Sequence, residues 1–217
     1  MNTMNTMTMM RKSFPLLLAG FLLSAAVPAA EGVRNHFDSD SLGRAPGFFD
    51  LVVLGAPGPA RWLILGDPNP PSAPNRLAQV TRNRPVDSIA AAIRRSFVFQ
   101  DGTVSTFIRR GGGLEGLILR MVDEKDFLIL LVDSGSGNAV LSSYRDGKAT
   151  ELGRGQALLD RTWEKFSVVA SGPTLTVLFN DQMLFEAKDQ RPATGKTGLA
   201  AAGPGEASFD EFVLEPK

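Results

Sequence analysis

Carboxyl groups are the side chains of this sequence that could cleave a glycosidic bond, because glycosidases place two of them around one sugar. A strand with acids at alternate positions would project both into one groove, but the sequence contains no E-x-D-x-x-E run. The densest acidic group is Asp123, Glu124 and Asp126, and its D-E-K-D sequence is typical of a solvated turn. Asp210 and Glu211 are adjacent, so a strand would point them to opposite faces. The residues therefore do not indicate a paired-carboxylate glycosidase.

Nucleophilic catalysis also lacks its usual components. The sequence has no cysteine and no G-x-S-x-G elbow for a reactive serine. Its single histidine, His36, has Asp38 and Asp40 nearby and could act as a general base only with a partnered geometry. We favour the simpler interpretation, which is a histidine on a strand surface. The catalytic residues, if there are any, are not identified by the sequence.

Metal binding is suggested by chemistry but not by spacing. Calcium requires several oxygen ligands, and Asp67, Asn69, Asp123 and Asp133 could supply them. None of these residues belongs to a D-x-D-x-D-G loop. We therefore expect no cofactor, with calcium as the one candidate.

Carbohydrate binding needs fewer specialised residues than catalysis does. It requires an aromatic ring to stack on a sugar and polar side chains for the sugar hydroxyl groups. The residues that we predict near a sheet face for this role are Trp62, Asn75, Gln79, Arg94, Arg120 and Tyr144. The alternatives are a core position for Trp62 and, for the arginines, surface charges that protect strand edges. Trp163 and the phenylalanines are predicted to be core residues.

The elements that must position these residues are short strands. From residue 163 to residue 215, apolar residues recur at every second position between turn residues, which predicts a β-meander. The FLILLV run at 127–132 predicts a strand that is either covered on both faces or central in the sandwich. Residues 88–95 (SIAAAIRR) are rich in alanine, yet we interpret them as a strand because the surrounding topology overrides a weak helical preference. Residues 100–102 (QDG) predict a hairpin turn.

Several ordered motifs resemble a known family. They are G-L-I-L-R at 116–120, W-x-x-F-x-V at 163–168, G-x-x-L-x-V-x-F-N at 172–180, and the closing F-D-E-F-V-L at 209–214. Together these motifs are similar to the concanavalin A-like, or laminin-G-like, jelly roll of bacterial 3-keto-disaccharide hydrolase-like domains, over roughly 37–214. The resemblance implies an all-β, two-sheet antiparallel β-sandwich whose first strand pairs with its last. It also implies a glycan or glycoside ligand, although no catalytic residue of that family can be placed on this chain.

The N-terminus has the order of an export signal. Arg11 and Lys12 precede an apolar run at 14–27, and the small residues at 27–29 predict cleavage after Ala29, with Ala26 and Ala30 as alternative sites. We therefore predict a signal peptide at 1–29, a single jelly-roll domain at 30–217, and a periplasmic or secreted protein. The apolar run is short for a bilayer span, so we expect no membrane span after cleavage, with an uncleaved anchor as the alternative.

Charge excludes one class of partner. The chain has 23 basic and 23 acidic residues, and removal of Arg11 and Lys12 with the signal leaves 21 against 23, a net charge of −2. Nucleic acid is therefore not an expected partner, because the basic surface that it requires is missing. Without cysteines, the domain must also be held by its core rather than by disulfides.

Three hypotheses about function follow. The first is an exported carbohydrate-binding jelly-roll domain without identifiable catalytic machinery. The second is a glycoside hydrolase of the 3-keto-disaccharide hydrolase-like kind, and the third is a structural or interaction module of the cell envelope. The first rests on fold analogy, which suggests a ligand class but no mechanism.

Overall fold

The computed structural model describes residue 1, residues 31–190 and residues 194–217, and the regular elements in this part are all β-strands. The strands are β1 (Val33–Asn35), β2 (Phe49–Gly55), β3 (Trp62–Gly66), β4 (Asn75–Gln79), β5 (Ser88–Arg94), β6 (Gly102–Arg109), β7 (Leu114–Met121), β8 (Phe127–Asp133), β9 (Asn138–Arg145), β10 (Lys148–Gln156), β11 (Trp163–Ser171), β12 (Thr174–Phe179), β13 (Gln182–Lys188), β14 (Lys196–Ala202) and β15 (Ala207–Pro216).

These strands form two antiparallel sheets. Sheet A has the order β13-β12-β11-β6-β15-β4-β3, with β1 also paired to β15. Sheet B has the order β10-β9-β8-β7-β14-β5-β2. The predicted all-β, two-sheet sandwich is confirmed.

The main core lies between the two sheets and follows the two-residue period of the strands. Leu128 and Leu130 of β8 face Phe166 and Val168 of β11 across this layer, and all four are at most 1% exposed. A second apolar cluster lies on the opposite face of sheet B, because residues such as Ile129 alternate with the core residues of the same strands. The FLILLV strand is therefore buried on both faces, as predicted.

The first and last strands pair as the resemblance implied. Val33 of β1 lies opposite Leu214 of β15. A register shift between Asp210 and Val213 divides β15, and Glu211 adopts a φ of +51° there. β15 can therefore pair with β1 along one half and with β4 along the other.

The alanine-rich segment 88–95 is a strand over Ser88–Arg94, between β14 and β2. The predicted hairpin turn at 100–102 is wrong, because β5 belongs to sheet B and β6 belongs to sheet A. The chain crosses between the sheets here, and Phe99 is held by backbone hydrogen bonds to Gly195. Local turn chemistry could not reveal that the two strands have different partners.

The predicted signal peptide at 1–29 lies outside the described residues, apart from Met1. In the part of the chain that the structure describes, there is no helix of the length and apolarity that a bilayer crossing would need.

Candidate functional site

Arginine side chains converge on a cavity of about 490 Å³ at one end of the sandwich. We call this cavity the arginine pocket. It lies where β6 ends and β7 begins, and its volume is typical of small-ligand sites. The lining residues are Arg76, Arg82, Arg109, Arg110, Gly111, Gly112, Glu115, Thr162, Gly205, Glu206 and Ser208.

The loop between β6 and β7 shapes the pocket and is tied to three other segments. The Arg110 amide donates to the Thr162 carbonyl at 2.9 Å, and the Gly111 amide donates to the Ser134 carbonyl at 3.0 Å. The Gly113 amide donates to the Glu206 carbonyl at 2.9 Å. Gly111 has a φ of +89°, which glycine adopts without strain. The pocket wall is therefore held by backbone hydrogen bonds rather than by side chains alone.

Glu115 is a fully buried carboxyl group in the pocket wall. It is the second residue of β7 and lies on the same face as Leu117 and Leu119, which points it towards the sandwich interior. The Ser208 amide donates to Glu115 Oε2 at 3.1 Å, and Ser134 Oγ lies 3.1 Å from Glu115 Oε1.

Gly112 leaves the space that the Glu115 carboxyl group occupies. A Cβ atom at position 112 would lie 2.0 Å from Glu115 Oε1 and 2.9 Å from the carbonyl oxygen of Glu206. The glycine-rich loop is therefore matched to the buried acid beside it.

Burial raises the pKa of Glu115 to about 8, although hydrogen bonds from the Ser208 amide, the Ser134 hydroxyl and the Arg109 amide, and the charge of Arg76, act in the opposite direction. The hydrogen-bond geometry also suits the neutral acid. Ser134 Oγ lies 3.0 Å from the Gly113 carbonyl oxygen, and its single proton can serve only one acceptor. If that proton goes to Gly113, a protonated Glu115 can donate to Ser134. Glu115 is therefore mostly uncharged at pH 7.

Two of the arginines share one carboxylate. Arg76 Nε and Arg109 NH1 lie 3.2 Å and 3.6 Å from the same Asp67 oxygen, Oδ2. Neither Arg76 Nε nor Asp67 Oδ2 makes a hydrogen bond of good geometry. Desolvation and the neighbouring charge of Arg109 lower the pKa of Arg76. Arg76 NH1 also donates to Ser208 Oγ, so the guanidinium donors left unused in this pair are mainly those of Arg109.

The remaining two arginines are exposed. Arg82 Nε pairs with Glu206 Oε1 at 3.0 Å. Arg110 has no ion pair with any acid in the described ranges 31–190 and 194–217. Four arginines against Asp67 and Glu206, with Glu115 neutral, give the site a net charge of about +2 at pH 7. Planar guanidinium groups with free donors are suited to carboxylate, sulfate or phosphate oxygens.

None of the six predicted binding residues lines the arginine pocket. Trp62 is 2% exposed, and its ring centroid lies 5.8 Å from that of Phe209 in the core. Asn75 is buried and donates to the carbonyl oxygens of Phe37 and Asp38, both at 3.2 Å. Gln79 is buried and accepts a hydrogen bond from Arg84.

The other three predicted residues each contact different partners. Arg94 donates to the Phe48 carbonyl at 3.1 Å and lies 5.0 Å from the centroid of the Phe48 ring. Arg120 is 1% exposed and donates to Asp101 Oδ1 at 3.0 Å, to the Gln100 carbonyl at 2.8 Å and to the Gly172 carbonyl at 2.8 Å. Tyr144 stacks on Phe127 at 4.4 Å between ring centroids, and burial raises its pKa. A binding role for the six residues stays a prediction.

The predicted metal ligands bond mainly to their own turns or to arginine. Asp123 accepts from the amides of Lys125 and Asp126, and Asp133 accepts from those of Gly135 and Ser136. Asp67 Oδ1 accepts from the amide of Asn69 at 3.0 Å. Among the described residues, no three acidic or histidine side chains form a group that could hold a metal ion. Calcium binding stays a prediction.

The single histidine, His36, pairs with Glu211 and not with Asp38, its neighbour in the sequence. His36 Nδ1 lies 2.8 Å from Glu211 Oε1, whereas Asp38 accepts hydrogen bonds from Ser72 Oγ and the Asn75 amide. The neighbouring Asp210 is buried, and desolvation raises its pKa to about 7. Asp210 accepts from the Ser72 amide at 2.7 Å. This cluster connects β1, the loop before β4 and the bulge of β15.

Two other concave surfaces are less well suited to a specific ligand. A groove of about 370 Å³ crosses sheet A over Ser105 and Ser167, with Arg34 and Glu211 among its lining residues. A recess of about 580 Å³ beside Val122 is lined by four apolar residues and by five loop and strand residues of mixed charge, among them Asp123 and Lys196. The arginine pocket differs from both because it combines a fully buried acid with several converging cations.

The sequence does contain a pattern that indicates the buried acid of this site. Glu115 lies two residues before Leu117 and four before Leu119, so the strand period places an acid on the core face. Three glycines, 111–113, immediately precede this strand. The sequence contains no comparable pattern for the arginines. Arg76 lies on β4 and Arg109 lies on β6, and these two strands are neighbours of β15 rather than of each other.

The sequence matches no protein-family model, and no curated protein has a significantly similar sequence. Several solved structures have a fold similar to that of this protein. The carbohydrate-binding module CBM66 from Bacillus subtilis is 18% identical with a TM-score of 0.53, over 70% of this chain and 94% of that one. A B. subtilis protein of unknown function with a galectin-like fold is 14% identical with a TM-score of 0.55, over 84% of this chain and 94% of that one.

A third similar structure is a mutant of the GH43 protein BlXynB from Bacillus licheniformis, at 15% identity and a TM-score of 0.52. The match covers 84% of this chain and 39% of that one. Similarities at these identities describe the fold and not the activity. The chain therefore has the concanavalin A-like jelly-roll fold.

Proposed function

We propose that this protein is an exported carbohydrate-binding domain whose ligand occupies the arginine pocket. The observation that carries the proposal is the pocket itself, where guanidinium donors of Arg109 and Arg110 and a buried Glu115 meet at the end of a jelly roll. Sugars are bound in proteins by such polar groups within a concave site. The fold similarity to a carbohydrate-binding module supports the ligand class.

Binding can be tested by calorimetry of the protein against a panel of neutral and acidic oligosaccharides. We expect saturable binding of at least one glycan. The double substitution Arg109→Ala/Arg110→Ala should abolish it, because it removes two cations from the pocket. Arg154→Ala is the matched control, since Arg154 is an exposed arginine of β10 that does not line the pocket. The proposal would be contradicted if both variants lost glycan binding equally. It would also be contradicted if neither the wild-type protein nor Arg154→Ala bound any glycan.

Export is part of the proposal and rests on the N-terminal sequence. Protein recovered from the periplasm or the medium should begin at Ala30, because the small residues before it form the cleavage site. N-terminal sequencing checks this. Recovery of an intact N-terminus from the membrane fraction would favour the uncleaved anchor.

Glycoside hydrolysis is the second candidate, and the protonation of Glu115 is what favours it. A general acid must hold a proton near neutral pH, and the pKa of Glu115 is about 8. Against this role, the residue is fully buried, with its carboxyl group bonded to the pocket wall. A keto-glycoside substrate should release sugar if the activity exists, and Glu115→Gln should stop that release without loss of folding. An inert protein across such substrates would exclude this candidate.

A further inference from the structure

We propose that the ligand of the arginine pocket carries a negatively charged group, a carboxylate or sulfate on its sugar, which Arg109 and Arg110 hold directly. This inference rests on the proposed function, since it names the class of glycan that the same pocket binds. Three features of the pocket support it.

The first feature is the charge. Within 31–190 and 194–217, the ionised partners of the pocket arginines (Arg76, Arg82, Arg109 and Arg110) are Asp67 and Glu206 alone. A neutral sugar would leave this excess positive charge uncompensated in a confined site. An anionic group would neutralise it, and charge-assisted hydrogen bonds are about twice as strong as neutral ones.

The second feature is the supply of free donors. A guanidinium group has five N–H donors, and the ion pair of Arg109, at 3.6 Å, is with an Asp67 oxygen that Arg76 already approaches more closely. The Arg109 side chain is 40% exposed, and Arg110 is exposed beside it at the end of β6. These two residues can therefore reach an entering anion with donors that have no other partner of good geometry.

The third feature is the state of the buried acid. Glu115 is held by the amides of Ser208 and Arg109 and by Ser134, and because the Ser134 proton can serve the Gly113 carbonyl, a protonated Glu115 can donate to Ser134. While it is protonated, the pocket wall does not repel an anion. The other charged groups at the pocket are the four arginines, which keep their charge across the neutral range, together with Glu206 and Asp67. Binding of an anionic sugar should therefore weaken as Glu115 ionises.

The test compares ligands that differ only in charge. Oligogalacturonate and its carboxyl-reduced form address the carboxylate, and sulfated and unsulfated dextran oligosaccharides address the sulfate. We expect one acidic ligand to bind at least about tenfold more tightly than its neutral counterpart, as the loss of a charge-assisted hydrogen bond requires. Which acidic ligand shows this preference identifies the group.

The variants connect the preference to the pocket. Arg109→Ala/Arg110→Ala should remove it, and Arg154→Ala should retain it. Raising the pH from 6 to 9 should weaken binding to the wild-type protein, and Glu115→Gln should make binding nearly independent of pH, because an amide stands in for the protonated acid.

The outcomes separate the inference from the proposed function. Equal affinity for acidic and neutral ligands, lost in the double arginine variant, would overturn the inference and leave carbohydrate binding in place. An acidic preference that survives in the double variant would overturn the assignment to this pocket. No binding of any glycan would overturn both.

Discussion

Two buried glutamates occupy equivalent positions in the two sheets, yet their surroundings differ. Glu115 is the second residue of β7 in sheet B, and Glu164 is the second residue of β11 in sheet A. Both are 0% exposed. Glu164 Oε1 accepts hydrogen bonds from the amides of Asp160 and Arg161, and its Oε2 accepts one from Asn180 Nδ2.

The difference separates an acid that holds neighbouring loops from an acid that borders the arginine pocket. Each Glu164 oxygen faces N–H groups of the loops beside it, so the carboxylate holds those loops to β11. Glu115 has the amides of Ser208 and Arg109 and a serine hydroxyl whose proton can serve another acceptor. Acids that point inward at strand ends can therefore serve different purposes, and the hydrogen-bond donors around each acid distinguish these purposes. The following substitutions test this contrast, from the largest expected effect to the smallest.

Replacement of Glu115 by glutamine should change the pH dependence of stability. The unfolded chain loses the Glu115 proton near pH 4.5, whereas the folded protein keeps it to about pH 8. Between these values the folded state binds more protons, so the free energy of unfolding of the wild-type protein falls as the pH rises. The stability of Glu115→Gln relative to wild type should therefore increase by roughly 4 kcal/mol from pH 4 to pH 9.

Urea denaturation at several pH values measures this difference. Titration of Asp210, whose pKa is also raised, occurs in both proteins and cancels. A constant difference between the two proteins across the range would show that Glu115 ionises normally.

The same replacement at Glu164 should lower the stability of the protein rather than raise it. Glu164→Gln would place an amide nitrogen against one of the three N–H donors and remove a charge that all three stabilise. We expect a loss of about 2–3 kcal/mol at pH 7. Equilibrium unfolding in urea provides the value, and Glu115→Gln at the same pH is the matched control. A Glu164→Gln protein as stable as wild type would remove the contrast between the two acids.

Gly112→Ala tests the fit between the loop and Glu115. The added methyl group would overlap the Glu115 carboxyl group and press on the backbone oxygen of Glu206. We expect a loss of about 1–2 kcal/mol in stability and weaker ligand binding. Gly66→Ala is the control, because a Cβ at position 66 would meet no atom within 4 Å. Equal thermal midpoints for the two variants would contradict the fit described here.

Arg110→Ala should have the smallest effect on folding. The side chain is exposed and has no ion pair with the described acids, so the stability should change by less than about 0.5 kcal/mol. The affinity for an acidic glycan should nevertheless fall. Thermal melting with and without ligand measures both effects. A large loss of stability would assign Arg110 a structural role instead.

The sequence predicted the fold better than the site. The surrounding topology placed 88–94 correctly as a strand in spite of its alanines. Alternation of apolar residues located β11, β12, β13 and β15. It could not reveal that β5 and β6 belong to different sheets, because a D-G dipeptide favours a turn whichever strands it joins.

The candidate site depended on contacts that no local pattern contains. Arg120 was predicted to bind a ligand, but its guanidinium group donates to Gln100, Asp101 and Gly172 across the fold. Arg76 and Arg109 are far apart in the sequence and meet at Asp67 through the pairing of β4 and β6 with β15. Only Glu115 could have been found beforehand, from its position on the core face of β7.

The most direct test of this account is the ionisation of Glu115 itself. A ¹³C NMR titration of the glutamate side-chain carboxyl carbons, with the Glu115 signal assigned by its absence in Glu115→Gln, measures it residue by residue. We predict a midpoint near pH 8, which keeps the acid neutral and the arginine pocket cationic at pH 7. A midpoint near the ordinary value of 4.5 would mean that the carboxylate neutralises the arginines, and it would contradict the pocket as a site for anionic sugars.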